Sequence, residues 1–430
     1  MKNEIRVLII TYYWPPSGGS GVQRWVYFSK YLNRLGVKPY ILTVDPNKAT
    51  YPSLDESLND EVKEITVYRT NSFEPLQFYS KITTGNKKDG VPYGEVETSK
   101  KSPFKKFSAY IRGNFILPDA RKYWNKYAFP EAKKIIQKEN IDLIITTGPP
   151  HSTHLIGLKL KSKLTIPWLA DFRDPWTEIF YNKDLFRTKF AIKKDKSLET
   201  KVLNSADKVL AISTKTADLL LNKMNDSSKI HCILNGFDQE LFDKIEKSEN
   251  SHFTISYVGY LGKHHQYSVL TEALRKIASQ NNSKINLHLA GNINNSILKE
   301  WDGIDGIEII YEGIVSHKRA LEIIKSANLL FISIPISSYS KGNIPGKLLE
   351  YLATGNPIIL AGEKDSDAAK ILSEFSNTAV VENNEVEELS SFINKVINKE
   401  IKPKSNNPAV NKYSRLSTTQ ELLEVINSIV

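Results

Sequence analysis

Residues Gly342-Asn343-Ile344-Pro345-Gly346-Lys347-Leu348-Leu349-Glu350 place a cation and a carboxylate around a Pro-Gly pair, ahead of a helical run that stops at Gly355. Proline at the start and glycine at the end mark that run as a helix whose N-terminus faces whatever lies beyond the preceding strand. Its unpaired N–H groups and positive dipole end suit a phosphate, and Lys347 adds a full charge. Glu350, one turn further in, can accept hydrogen bonds from sugar hydroxyls. Together these residue types describe a site for a sugar nucleotide.

Three further clusters carry related chemistry. Glycines at 18, 19 and 21 lie just before a helical pattern, where they allow close approach to a substrate and free several N–H groups to face it. They would serve equally in a tight turn with no ligand. A dinucleotide fingerprint is the sharper rival, since Gly19-x-Gly21 precedes a helix and Asp45 follows at a suitable distance. It fails in detail: Arg24 stands where the third small residue belongs, and Tyr13-Trp14-Pro15-Pro16 separates the glycines from the first strand.

The second cluster is Thr147-Gly148-Pro149-Pro150-His151-Ser152-Thr153-His154, in which either His151 or His154 can offer a neutral imidazole to a sugar hydroxyl or a phosphate oxygen. Nearby in sequence, Asp171-Phe172-Arg173-Asp174-Pro175-Trp176 sets an arginine between two acids. Arg173 is a ligand for an anion or a structural ion-pair node. Asp171 and Asp174 lack a third ligand at a telling spacing, so no metal is expected. The third cluster, Gly259-Tyr260-Leu261-Gly262-Lys263-His264-His265, is a flexible turn whose lysine can neutralise a departing pyrophosphate. His264 and His265 can also be simply solvated.

The elements that must position these groups alternate between short β-rich runs and helical patterns. Strands are expected at 7–10, 39–44, 65–68, 142–147, 167–170 and 208–213, with helices at 22–35 and 128–139 between them. A polar segment without clear pattern, 238–251, reads as a hinge or linker. The alternation then begins afresh, with strands at 254–259, 285–290, 307–311, 329–333 and 357–360. The fold class is therefore α/β, two doubly wound Rossmann-like domains, with ligands beyond the carboxyl ends of the strands in a central cleft. Domain limits are set at 1–238 and 252–405, followed by a helix in 406–430 that serves the first domain or a partner chain.

Composition narrows the class. At 430 residues and 40 % hydrophobic content the chain can bury two large cores. Its single cysteine, Cys232, rules out internal disulfides, suits a reducing cytoplasmic compartment and is expected in the core. The first apolar run stops at Tyr12-Tyr13, too short for a signal peptide, and no apolar run reaches the length of a membrane span. The net charge is +10, and between Lys81 and Lys126 eleven bases face four acids, so this basic insertion at about 76–126 holds most of the excess. Interleaved Phe104, Phe107, Tyr110 and Ile111 suit an anionic membrane surface, or a solvated loop with a short helix. No nucleic-acid signature accompanies the charge.

Taken in order, Gly18-Gly19-Ser20-Gly21, Ala211-Ile212-Ser213, Asn235-Gly236-Phe237-Asp238, Tyr257-Val258-Gly259, Leu289-Ala290-Gly291, Tyr311-Glu312-Gly313 and the run from Pro345 to Ala353 resemble the GT-B-fold retaining glycosyltransferases of family four. The likeness covers nearly the whole chain, and the Gly148–Ser152 and Asp171–Trp176 motifs are similar to a bacterial branch that builds surface polysaccharides. The resemblance implies a metal-independent hexosyltransferase with no cofactor, a nucleotide-sugar donor and a glycan or lipid-linked acceptor, cytoplasmic or peripheral at the inner membrane face. It implies that His151, Lys263 and Lys347 act in catalysis, and that Gly19, Gly21, Gly259, Gly262, Gly313, Gly346 and Glu350 hold the donor. His154, Arg173 and Asn343 are further substrate contacts. Two departures stand out: Gly342 occupies the place of a sugar-binding glutamate, and Tyr260 that of an arginine. A sugar-nucleotide epimerase of the same fold and a noncatalytic membrane-associated scaffold are the alternative functions.

Overall fold

The computed structural model describes residues 4–74, 103–179, 182, 185–280, 284–337, 339–404 and 407–430. Most of the basic insertion, residues 76–102, lies outside the described residues. The chain divides into two compact units, Met1–Leu234 with Thr418–Val430, and Asn235–Ser417.

In the first unit seven strands form one parallel sheet: β1 (Ile5–Ile10), β2 (Val37–Val44), β3 (Thr66–Thr70), β4 (Leu143–Gly148), β5 (Trp168–Phe172), β6 (Lys208–Ala211) and β7 (Ile230–Cys232). Their order is β3-β2-β1-β4-β5-β6-β7. Because β1 is apolar at every second position on both sides, it feeds two cores: Leu8 and Ile10 join Trp124 and Trp168, while Val7 and Ile9 join Trp25 and Phe28. Leu422, Val425 and Ile426 of the C-terminal helix complete the second of these cores. The winding direction reverses between β1 and β4, so the crevice of a doubly wound sheet opens at the glycines after β1 and the Gly-Pro-Pro-His turn after β4.

The second unit repeats the plan with six parallel strands: β8 (Phe253–Val258), β9 (Ile285–Ala290), β10 (Ile307–Tyr311), β11 (Leu329–Ser333), β12 (Ile358–Ala361) and β13 (Thr378–Val381). They lie in the order β10-β9-β8-β11-β12-β13, and the reversal falls between β8 and β11. The loop Gly259–His265 and the segment leading to helix Gly346–Thr354 therefore meet at the switch point.

Two expectations are corrected. The segment 238–251 is no open linker: it forms a short helix, Gln239–Asp243, buries Phe242 and Ile245, and receives Lys325 Nζ on the carbonyls of both. Apolar anchors three residues apart in a charged stretch hide its packed face. Cys232 is exposed, because β7 is a three-residue edge strand with one neighbour. That strand and an edge strand of the second unit, β13, also escape the sequence pattern.

Helix Ser20–Arg34 is fastened to the first sheet by a buried ion pair. Asp171 Oδ1 accepts from Arg24 Nε and Nη2 at 3.2 and 3.0 Å, while Oδ2 accepts from Trp25 Nε1 at 2.7 Å and Thr147 Oγ1 at 2.8 Å. Arg24 also reaches the Ile233 carbonyl at 2.9 Å. Burial alone would raise the Asp171 carboxyl, but the Arg24 guanidinium, helped by Arg173 and the Trp25 N–H, holds it below its ordinary value. Removing one partner of such a pair leaves the other charged and dry, so Asp171→Ala is expected to cost about 3–5 kcal/mol. Five of the six tryptophans, all but Trp301, belong to the first unit, so urea unfolding followed by tryptophan fluorescence reports on it. An unchanged midpoint would contradict the assignment.

Candidate active site

In the second unit the chain must turn away at the ends of β8 and β9 while its backbones stay in contact. Gly259 has φ +121° and donates to the Ala290 carbonyl at 2.8 Å; Gly291 has φ +108° and donates to the Gly313 carbonyl at 2.6 Å. A Cβ on Gly291 would collide with the Gly259 carbonyl, so only glycine permits this approach. The result is a low backbone floor running through Gly259, Gly291 and Gly313.

Helix Gly346–Thr354 stands over that floor. Its N-cap is Pro345, which supplies no side-chain acceptor, and its far end turns at Gly355 in the left-handed region. Tyr351 fixes the helix to β8 by accepting the Val258 N–H at 2.9 Å. Lys347 then folds back across the sheet end, its Nζ 3.7 Å from the Tyr257 ring centroid, and a Cβ on Gly259 would stand 2.9 Å from that nitrogen. Burial pushes the Lys347 ammonium down to about 7, against the opposing influence of Glu350. Sequence reasoning joined Lys347, Gly346 and Glu350, but not Tyr257.

Glu350 is not open on all sides, since its Oε1 lies 2.8 Å from His317 Nε2. His317 begins helix His317–Ser326, capped by Ser316 Oγ, which accepts the Arg319 N–H at 3.2 Å. Sequence reasoning missed His317; the capping serine soon after Tyr311-Glu312-Gly313 was the available signal. Gly342 ends a 3-10 turn, and a Cβ there would lie 2.8 to 3.0 Å from the ring and hydroxyl of Tyr339. The tyrosine thus fills the space at Gly342. Asn343 follows, its N–H on the Ser340 carbonyl at 3.1 Å.

The loop after β8 is more ordered than its glycines suggest. His265 Nδ1 accepts the Gly262 N–H at 3.2 Å, Tyr260 covers Gly262, and Ile336 donates to the His264 carbonyl at 3.0 Å. His265 is therefore structural, with burial, and next the Lys347 charge, pushing its imidazole down to about 4. Lys263 projects from this loop into solvent.

In the first unit, helix Ser20–Arg34 opens at Gly19, φ +105°, without a side-chain cap. Gly21 gives room to Arg173, whose Nη1 a Cβ would strike. Arg173 donates from Nε to the Gly148 carbonyl at 3.2 Å and from Nη2 to that of Pro149. It thereby braces the Gly-Pro-Pro turn, while the ion-pair node is Asp171 with Arg24. His151 and His154 are both buried, stacked on Trp176 at 5.2 Å and on Phe172 at 4.4 Å. A Cβ on Gly148 would lie 2.7 Å from His154 Nε2 and 3.0 Å from His151 Nδ1, so the two rings converge there. His154 Nδ1 meets Thr146 Oγ1 at 2.9 Å, whereas its Nε2 and both nitrogens of His151 have no partner among the described residues. Buried orphan nitrogens of this kind call for a ligand or water. Burial pushes His154 down to about 3 and His151 well below its ordinary value, the latter assisted by His154 and Arg173. Both rings are neutral near pH 7.

A family model described as Glycosyltransferase Family 4 matches residues 95–241, and one described as Glycosyl transferases group 1 matches residues 238–415. A search of curated protein sequences finds no match. Among solved structures, a glycosyltransferase from Rickettsia africae is 17 % identical with a TM-score of 0.65, over 99 % of this chain and 98 % of that one. Sucrose-phosphate synthase from Thermosynechococcus elongatus is 14 % identical with a TM-score of 0.64, over 99 % and 98 %. The HepE protein of Anabaena, solved in complex with UDP, is 13 % identical with a TM-score of 0.62, over 99 % and 100 %. These likenesses establish the fold, the two family models between them span about three quarters of the sequence, and the chain belongs to the GT-B glycosyltransferases.

Proposed function

We propose that the protein is a retaining glycosyltransferase that moves a hexosyl group from a nucleotide-sugar donor to a glycan or lipid-linked acceptor in bacterial polysaccharide biosynthesis. The observation that carries this reading is the seat of Lys347: an ammonium held over Gly259 at an uncapped helix N-terminus, where burial disfavours its charge until an anion arrives. A diphosphate is that anion. The HepE protein, solved with UDP and with UDP-glucose, supports a nucleotide diphosphate as the ligand of this fold.

In the reaction the bond from the anomeric carbon to the donor phosphate oxygen breaks, and the acceptor oxygen bonds to the same face of that carbon. The acceptor proton passes to an oxygen of the departing diphosphate. Lys347, Lys263 and the helix N-terminus stabilise the charge that develops there, so no metal ion is called upon. Glu350, oriented by His317, accepts from the ribose hydroxyls. Gly259, Gly313 and Gly346 keep the backbone low enough for the donor, whereas the room at Gly262 and at Gly21 is taken by Tyr260 and Arg173. His151 offers its unpartnered nitrogens to a sugar hydroxyl, and Tyr339 over Gly342 shapes sugar choice.

A panel of nucleotide sugars in a thermal-shift assay tests the reading, since a ligand at a hundred times its Kd stabilises the native state by about 2.7 kcal/mol. No shift with any of them would refute it, and conversion of a nucleotide sugar without acceptor would identify an epimerase. Glu350→Ala is expected to raise donor KM more than it lowers kcat; unchanged donor binding would remove Glu350 from the site. Lys347→Ala is expected to lower kcat, as steady-state kinetics would record, and full activity would exclude it.

The Lys347 pKa adds a pH test. With a value of about 7 in the free protein, the side chain is charged below pH 7 and increasingly neutral above it. A bound diphosphate raises that value, so donor binding takes up a proton above pH 7, takes up none well below it, and weakens as pH rises. Calorimetry at pH 8 in buffers of different ionisation enthalpy should register this uptake in the wild type and lose it in Lys347→Met.

A further inference from the structure

Helix Pro103–Phe115 and residues 185–194 form a single face of the first unit. A Cβ on Gly113 would collide with the Leu185 carbonyl, Asn114 Nδ2 donates to the Phe186 carbonyl at 3.1 Å, and Asn114 Oδ1 accepts the Thr188 N–H at 2.7 Å. Held by this backbone contact, the helix turns its apolar side outward. Phe107, Tyr110, Ile111 and Phe115 are exposed by 62, 40, 37 and 68 %, and Phe186, Phe190 and Ile192 by 46, 75 and 41 %. These are seven of the fifteen large apolar side chains exposed among the described residues, gathered on two touching segments. Such clustering on a protein surface marks an interaction site.

Among the described residues from Leu185 to Leu198, the exposed charge has one sign. Lys189, Lys193, Lys194 and Lys196 are exposed, and from Leu185 to Leu198 the one acid, Asp195, is buried against Arg187 at 2.6 Å. Lys122 lies alongside, donating to the Phe115 carbonyl at 3.0 Å; burial, and then the neighbouring Lys194 charge, lower its pKa. The four exposed lysines occupy the first two turns of helix Lys189–Ser205, at its positive pole, where acids are the stabilising choice and the first turn has none. A second copy seated face to face would set lysines against lysines.

We propose that this face docks the protein on a bilayer that carries anionic headgroups, with the phenylalanines and isoleucines in the acyl boundary and the lysines among the lipid phosphates. The donor-site reading is independent of it. Vesicles of phosphatidylcholine, with and without phosphatidylglycerol, give the test by co-sedimentation of the full chain. Wild type is expected to bind the anionic vesicles, to release at high salt, and to leave the neutral ones largely in solution. Lys193→Glu with Lys194→Glu is expected to lower the partition by about 25-fold or more, since each well-placed base adds about fivefold. Phe115→Ser with Phe190→Ser should lower it as well, with the melting temperature and the thermal shift by nucleotide sugar retained in both variants. Equal binding to both lipids, or two variants that bind like wild type, would overturn the proposal. So would a lipid-free wild-type dimer in sedimentation analysis that the phenylalanine variant dissolves.

Discussion

The first unit depends on one saturated carboxylate. Asp171 sits on β5 beside the point where the sheet reverses, and both of its oxygens are taken, Oδ1 by two Arg24 nitrogens and Oδ2 by Trp25 and Thr147. A carboxylate so occupied has no lone pair left for a metal or a substrate proton. Its task is to hold helix Ser20–Arg34 against β4 and β5, which sets where Gly19 and Gly21 lie. In a dinucleotide-binding turn a third small residue lets helix and strand approach; here that position is Arg24, and an ion pair does the work of close packing. Arg173 then adds a brace from the other side, filling the room beside Gly21 and gripping the Gly-Pro-Pro carbonyls. The two histidines stand on a turn that is fixed before any ligand binds.

The second unit is organised by backbone contact instead. Gly291 donates to the Gly313 carbonyl and lies so close to the Gly259 carbonyl that a Cβ on it would not fit, and this flatness leaves space for the Lys347 side chain to lie across Tyr257. Tyr351 matters as much as the lysine, because its hydroxyl accepts a β8 amide and sets the height of the helix above the floor. The position of the cation is thus settled by neutral groups, and its charge is left conditional on a partner.

Much of this was legible in sequence because it is periodic or local. Eleven of the thirteen strands overlap the expected apolar runs, and the helix from Gly346 to Thr354 is bounded by residues whose backbone preferences mark both ends. The two strands missed, β7 and β13, are short edges, where one-sided burial removes the continuous apolar run. Cys232 was misplaced for the same reason. Long-range pairings were out of reach: His317 with Glu350, Arg24 with Asp171 across 147 positions, and Tyr339 in the space beside Gly342. Arg173 shows the limit well, since its flanking acids pointed to an ion pair that belongs to Asp171 and another arginine.

The two clusters differ in their electrostatics, and the difference bears on mechanism. Burial holds His151 and His154 neutral across the physiological range, so neither can supply the positive charge a phosphate wants, and neither is a reservoir of protons near pH 7. What they retain is the capacity to give or accept one hydrogen bond at each free nitrogen, which suits a sugar hydroxyl. Lys347 is the reverse: it titrates near neutrality and gains its full charge where an anion joins it. A reaction in which the leaving diphosphate takes the proton needs only a positioned acceptor and a cation beside the leaving group.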